Sequence, residues 1–305
     1  MEMSQFYDLL EKELAPQLPE GMSMVFTHVR KNNNVIEDGI SFTAKGSNIS
    51  PNIYLSPYLE TYENGRTITD IAKQILHVLK VSVPKADFEV NEFLDYEKVK
   101  TRIAYKLINA EKNSELLNLI PYTQYMDLAM VFYYILPPGR IKDEHATILI
   151  HKTHLDIWKI TAEQLNEDAL ANTPRLLPVD IINMNDVLQR LMGDAGFMPE
   201  FAQQEIPMYV MSNTIRQNGA ATMAYPGVLD DFAGSIGKNL YIIPSSIHEV
   251  ILVPESQQPY CFNTMVREVN SMELDPKEVL ADHVYYYDRS DRRIVSVLRE
   301  ESSYC

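Results

Sequence analysis

The stretch Pro244-Ser245-Ser246-Ile247-His248-Glu249 brings two hydroxyls, an imidazole and a carboxylate within six residues. A Ser–His pair supports nucleophilic catalysis when a third group orients the imidazole. Ser245, Ser246, His248 and Glu249 are therefore the candidate catalytic residues. Against this, neighbours in sequence rarely form such a relay, and the nucleophile elbow Gly-x-Ser-x-Gly is absent. The plainer reading is a turn shaped by Pro and Ser, with His248 opening the next strand. A metal held by His248 and Glu249 is weaker still, because successive side chains of a regular strand point to opposite faces. Leu252 also stands where a His-Glu-x-x-His zinc signature needs its second histidine.

A second cluster is His151, His154 and Asp156. Histidines three apart converge on one ion when both lie on a helix or tight turn. His145 would share a strand face with His151, so His145, His151 and His154 are the candidate metal ligands. The alternative is a solvated strand end, with Thr153 capping the turn that follows. Neither the Gly-x-x-x-x-Gly-Lys phosphate loop nor the Gly-x-Gly-x-x-Gly dinucleotide turn occurs, and no cofactor is indicated. Asp230-Asp231 falls on a helix surface, where solvation is the ordinary explanation. The run Tyr285-Tyr286-Tyr287 suits a strand or a partner surface.

The elements that must position these residues follow from periodicity and breakers. A helix from Ser4 buries Phe6, Leu9, Leu10 and Leu14 and stops at Pro16. Strands over 22–31 and 35–44 are joined by Asn32-Asn33-Asn34, because Asn tolerates left-handed backbone. Residues 50–55 add a third strand, and a helix over 67–80 ends before Pro84. In the middle block, strands at 102–109, 127–136 and 145–152 accompany a short helix at 114–120. The helix that follows is opened by a capping box, Thr161 with Gln164, and Pro174 is placed just beyond its end. In the last block, strands are expected at 207–212 and 220–225, then a helix over 226–236 stopped by Gly237. A strand pair at 240–243 and 248–253, a helix with Phe262, Met265, Val266 and Val269 inward, a short helix capped by Asp275, and a hairpin of 284–288 with 294–298 complete the chain.

The fold class expected is α+β, with antiparallel strand pairs backed by helices. The blocks run 1–84, 85–192 and 193–305, and the last two are also readable as one domain. His145-Ala-Thr-Ile-Leu-Ile-His151 aligns without a gap on His248-Glu-Val-Ile-Leu-Val-Pro254, which suggests a repeated ββα unit in the middle and C-terminal blocks.

The stretches Pro207-Met-Tyr-Val-Met-Ser-Asn213, Gly219-Ala-Ala-Thr-Met-Ala-Tyr-Pro-Gly-Val-Leu229 and 240–254 carry a resemblance, as do 172–178 and 283–288. They resemble a family of uncharacterised bacterial proteins, a domain of unknown function common in anaerobic gut bacteria, over about 50–288. The resemblance implies a bacterial cytoplasmic protein and transfers no activity, ligand or catalytic residue.

Composition bounds the function. With 27 Lys plus Arg against 42 Asp plus Glu, the net charge is −15. Such a surface repels phosphate backbones, whose neutralisation supplies most nucleic-acid affinity. Neither nucleic acid nor an anionic membrane is an expected partner. Cys261 and Cys305 are the only cysteines, too few for a secreted disulfide framework. Met1 to Leu10 lacks a basic n-region and a long apolar core. A reducing cytoplasm is the expected compartment. The function expected is that of a non-catalytic binding or regulatory protein for an unknown protein or small molecule. The alternative is a hydrolase using His248 with Ser245 or Ser246, or a metal site at His151 and His154. From the charge, a fluorescence anisotropy titration with short single and double strands at low salt should show no saturable change. Salt-sensitive binding at micromolar protein would contradict it.

Overall fold

The computed structural model describes residues 1–45, 50–82, 90–137, 146–187, 207–256 and 262–297. The chain divides into two compact units, one from Met1–Phe93 with Leu136–Thr147 and the other from Leu94–Ile135 with Ile148–Cys305. The fold is α+β and its sheets are antiparallel.

The first unit holds helix α1 (Met3–Leu14), strands β1 (Met22–Arg30), β2 (Ile36–Ala44) and β3 (Asn52–Tyr54), and helices α2 (Ser56–Glu63), α3 (Ile68–Ser82) and α4 (Val90–Phe93). The sheet order is β1-β2-β3. The connection between β1 and β2 uses left-handed backbone at Asn33 and Asn34, both with φ 58°, and Lys31 N–H closes it on the Val35 carbonyl at 2.7 Å. Phe6, Leu10 and Leu14 lie one helical turn apart and are fully buried against Ile40, Phe42, Ile71 and Ile75. Pro16 ends α1 less sharply than its sequence suggests, since a 3-10 turn continues over Ala15–Gln17. Proline is acceptable there because an N–H in a first turn has no partner to lose.

The second unit begins with α5 (Tyr96–Val99), β4 (Ile103–Asn109), α6 (Ser114–Leu117), β5 (Tyr122–Tyr125) and β6 (Leu128–Ile135). β7 (Thr147–Leu149) joins β6. β6 is buried along nearly its whole length. One of its edges takes β4 and the other takes β5. Helices α7 (Lys152–Trp158) and α8 (Ala162–Leu176) follow.

Thr161 caps α8 by accepting the Gln164 N–H at 3.2 Å. Pro174, however, lies inside the helix, which runs on to Leu176. The lost backbone hydrogen bond is offset by lateral ones. Asn172 Nδ2 donates to the Lys100 carbonyl, Arg175 Nη2 to the Thr101 carbonyl, and the Thr173 hydroxyl accepts the Tyr105 N–H. The last of these satisfies a backbone donor on the outer edge of β4.

A six-stranded sheet forms the rest of the unit, in the order β13-β12-β10-β11-β9-β8. Its strands are β8 (Val179–Asn183), β9 (Tyr209–Asn213), β10 (Leu240–Pro244), β11 (Val250–Pro254), β12 (Val284–Asp288) and β13 (Arg293–Val297). Helix α9 (Val228–Ile236) lies between β9 and β10, and α10 (Phe262–Met272) between β11 and β12. α10 covers the face carrying Ile243, Val253 and Val284 with Phe262 and Val266. Met265 and Val269, expected inward, are both more than 40 % exposed, because the buried stripe runs through Phe262, Asn263 and Val266 instead.

The segment expected as a strand at 220–225 is a 3-10 helix, Gly219–Ala224. Asn218 enters it with φ 53°, and the Thr222 hydroxyl donates to the Gly219 carbonyl at 2.7 Å. Its small side chains leave room for that tight winding.

Of the two segments aligned as a repeat, 147–149 is β7 and 250–254 is β11.

Thr173→Val keeps the shape of the side chain and removes the acceptor for Tyr105 N–H. An unpaired buried donor costs about 1–3 kcal/mol. Denaturant unfolding of the variant should show a loss of that size, and unchanged stability would mean that the bond is not what holds α8 on β4.

Candidate functional site

At the β10–β11 corner the polar atoms bond within the corner or to the segments packed against it. Ser246 N–H donates to the Glu249 carbonyl at 3.1 Å, and the Ser246 hydroxyl accepts from His248 N–H at 2.9 Å. Ser246 thus meets His248 through its backbone. The imidazole turns the other way: Nδ1 accepts the Asn218 N–H at 3.1 Å, and Nε2 lies 3.9 Å from Glu278. An accepting Nδ1 places the ring proton on Nε2, facing that carboxylate. The His248 carbonyl accepts from the Ser212 hydroxyl at 2.7 Å, and the Ile247 carbonyl from Ala220 N–H at 3.2 Å. Ser246 is buried, while Ser245, His248 and Glu249 are half-buried. The corner is therefore laced to the 213–220 segment.

Gly219 makes that lacing possible. A Cβ on it would overlap the Ser212 hydroxyl and come within 2.5 Å of the His248 carbonyl oxygen.

His151 and His154 do come together. His151 is the N-cap of α7, the place expected for Thr153, because its own extended backbone directly precedes the helix. His154 Nδ1 accepts the His151 backbone N–H at 3.1 Å, and the two rings meet edge-on at 5.7 Å. The His154 ring also packs 5.7 Å from Trp158. Burial, and then the neighbouring His151, hold the His154 imidazole below its ordinary pKa. Asp156 is exposed on the same helix. His145 lies outside the described residues. Among the described residues no three His, Cys, Asp or Glu side chains converge as a metal would require.

The polar groups that converge around open space lie elsewhere in the second unit. A cleft of about 490 Å³ is lined by Tyr125, Met126, Met223, Ala224, Tyr225, Asp230, Tyr287, Arg292 and Ile294. Four features of the fold shape it. β12 alternates, so that Tyr285 and Tyr287 share one face and Tyr286 takes the other, where its hydroxyl donates to Glu255 at 2.8 Å. The register pairs Tyr285 with Ser296 and Tyr287 with Ile294, which continues the cleft face onto β13. The β5–β6 turn lies over that face with Met126 at φ 54°. The 3-10 segment then delivers Met223 to Tyr225, and Gly227, at φ 78°, turns the chain into α9. A residue with a Cβ seldom takes that conformation.

Each aromatic of the cleft is anchored. Tyr125 OH donates to the Met223 carbonyl at 3.1 Å and Tyr225 OH to the Leu177 carbonyl at 2.9 Å. Burial pushes both hydroxyls well above the ordinary tyrosine range, so both remain protonated donors. Tyr287 OH donates to Asp230 at 3.3 Å, and Arg292 Nε lies 3.5 Å from the other oxygen of that carboxylate. Behind Tyr225, edge-on at 6.0 Å, is Tyr105. It is fully buried, and its hydroxyl has no hydrogen-bond partner among the described residues.

Beside the cleft, Asp127 ties the turn to the six-stranded sheet. Tyr285 OH donates to it at 3.0 Å, Ser296 Oγ lies at 3.5 Å and His283 Nε2 at 3.6 Å. Burial alone would raise the Asp127 carboxyl, but the His283 imidazole and the Tyr285 hydroxyl outweigh it and hold the group below its ordinary range.

Three cleft residues stand in runs conspicuous in the sequence: Tyr287 in the tyrosine triplet, Asp230 in the acidic pair, Arg292 in a basic pair. Their separation along the chain hid their convergence. Tyr125, Met126 and Tyr225 carry no sequence signal at all.

The model of a family of unknown function, DUF5688, matches residues 3–289. No curated protein matches the chain, and neither does any solved structure.

Gly219→Ala forces a side chain into occupied space. Overpacking of this kind costs about 3 kcal/mol, and the thermal midpoint should fall by several degrees. An unchanged midpoint would mean that the 213–220 segment is not held against His248.

Proposed function

The chain belongs to this family of unknown function, DUF5688, and we propose that it is a non-catalytic binding protein whose ligand occupies the tyrosine-lined cleft of the second unit. The observation that carries this reading is the convergence of Tyr125, Tyr225, Tyr287, Asp230 and Arg292 around about 490 Å³ of open space. Small-ligand sites typically have this size, a largely apolar wall and a few fixed polar groups. The first unit has a groove of about 570 Å³ beside Met22, Leu76 and Leu79, and its polar lining is Lys73, His77 and Lys80 along α3 with Gln17 from the 3-10 turn after α1. The cleft is the better candidate because its polar groups come from separate segments and are anchored by hydrogen bonds.

Hydrolysis at the β10–β11 corner has less support. A general base needs a free nitrogen aimed at the nucleophile, and His248 spends Nδ1 on Asn218 and directs Nε2 toward Glu278. Among the described residues no helix is long and apolar enough to cross a membrane. With the sparse cysteines, that supports a protein working in the bacterial cytoplasm.

A thermal-shift screen of small amines, acids, zwitterions, sugars and nucleotides tests the reading. A ligand present at about 100 times its dissociation constant stabilises by about 2.7 kcal/mol, which is readily seen. Ala224→Trp and Ile294→Trp each fill the cleft, and compounds that stabilise the native chain should leave both variants unmoved. Stabilisation that persists in the filled variants, or none from any compound, would overturn the proposal.

A further inference from the structure

The cleft differs in charge from the chain that surrounds it. The whole sequence has 27 basic against 42 acidic side chains, yet the cleft lining holds one acid, Asp230, and one base, Arg292. The two are not equivalent. Asp230 is a little over one-third exposed and is fixed by the Tyr287 hydroxyl at 3.3 Å. Arg292 is three-quarters exposed, at the end of the β12–β13 turn where β13 begins. An ion pair between one fixed group and one exposed arm adds little to stability. The arm is free to exchange that contact for another.

We propose that the cleft binds a zwitterionic amino acid with an apolar or aromatic side chain. This rests on the cleft reading above. The α-ammonium pairs with Asp230, and the α-carboxylate takes the guanidinium of Arg292, whose planar fork suits a carboxylate. The side chain enters among Tyr125, Met223, Tyr225 and Ile294. A ligand with only one charge would separate Asp230 from Arg292 and satisfy only one of them. A ligand with two negative charges would set the second against Asp230. A zwitterion replaces the internal pair with two new ones and leaves neither group alone.

Isothermal titration of the full chain with three probes tests the assignment: L-phenylalanine, phenethylamine, which lacks the carboxylate, and 3-phenylpropionate, which lacks the ammonium. Hydrogen bonds to charged groups are each worth about tenfold or more in affinity. L-Phenylalanine should therefore bind about tenfold tighter than either analogue. Asp230→Asn and Arg292→Gln should each weaken it by about tenfold, and Arg292→Gln should not weaken phenethylamine. Circular dichroism of both variants confirms that they are folded. If either analogue binds as tightly as L-phenylalanine and the filled-cleft variants abolish that binding, the zwitterion assignment is overturned while the cleft reading stands. If L-phenylalanine binding survives both charge substitutions, the assignment is likewise overturned. If L-phenylalanine does not bind, the assignment fails, and the thermal-shift screen decides separately whether the cleft reading fails with it.

Discussion

Gly219 has no Cβ, and the space one would need is taken by the Ser212 hydroxyl and the His248 carbonyl. That close approach lets the chain leave β9, wind into a 3-10 helix and stay in register with the β10–β11 corner. The Asn218-to-imidazole and Ala220-to-Ile247 hydrogen bonds are made only because the backbones lie this near. From that anchored point the 3-10 helix sets Met223 and Tyr225, and Gly227 aims α9 so that Asp230 meets Tyr287. The corner richest in reactive side chain types thus acts as a brace, and the open space it supports lies one short helix away.

A second tie works on the opposite wall. Asp127 is carried by the β5–β6 turn, yet its partners Tyr285 and Ser296 belong to the far sheet and His283 directly precedes β12. Antiparallel strands position one another through local register. Two separate sheets of one unit have no such ladder between them and need side chains to fix their relation. A carboxylate that accepts a buried hydroxyl is well suited to this, because hydrogen bonds to ionised groups are the stronger ones. The same tie holds Tyr125 and Met126 over the face that carries Tyr287 and Ile294, so the distance across the cleft is set by the contacts that join the sheets.

Burial shapes the chemistry left in the cleft. Tyr125 and Tyr225 give their protons to backbone carbonyls, and their raised pKa values keep them neutral. They offer ring faces and edges more than reactive oxygens. The charged pair is the exception, with Arg292 three-quarters exposed. A rigid aromatic wall with one fixed carboxylate and one exposed guanidinium is suited to hold a molecule.

Much of the architecture was legible in the sequence. The buried spacing of Phe6, Leu10 and Leu14, the asparagine turn at 32–34, the Thr161 cap and the Gly237 stop each depend on residues within a turn or two of one another, and local sterics and hydrogen bonding decide such features. Local reasoning failed where a distant partner intervened. Pro174 stays helical because Asn172, Thr173 and Arg175 are held by β4 and its approach. Residues 220–225 wind up instead of extending because Gly219 is pressed against His248. The cleft lies wholly beyond local reasoning: Tyr125, Tyr225, Asp230, Tyr287 and Arg292 meet only after two sheets have closed on each other. Sequence by itself determined the helices and strands whose caps and turns are local, and that the chain carries a net −15 charge. Tertiary structure alone decided which polar side chains spend their hydrogen bonds on the fold and which still face open space, because that depends on contacts between residues far apart in the chain, such as Asp127 and Ser296, 169 positions apart.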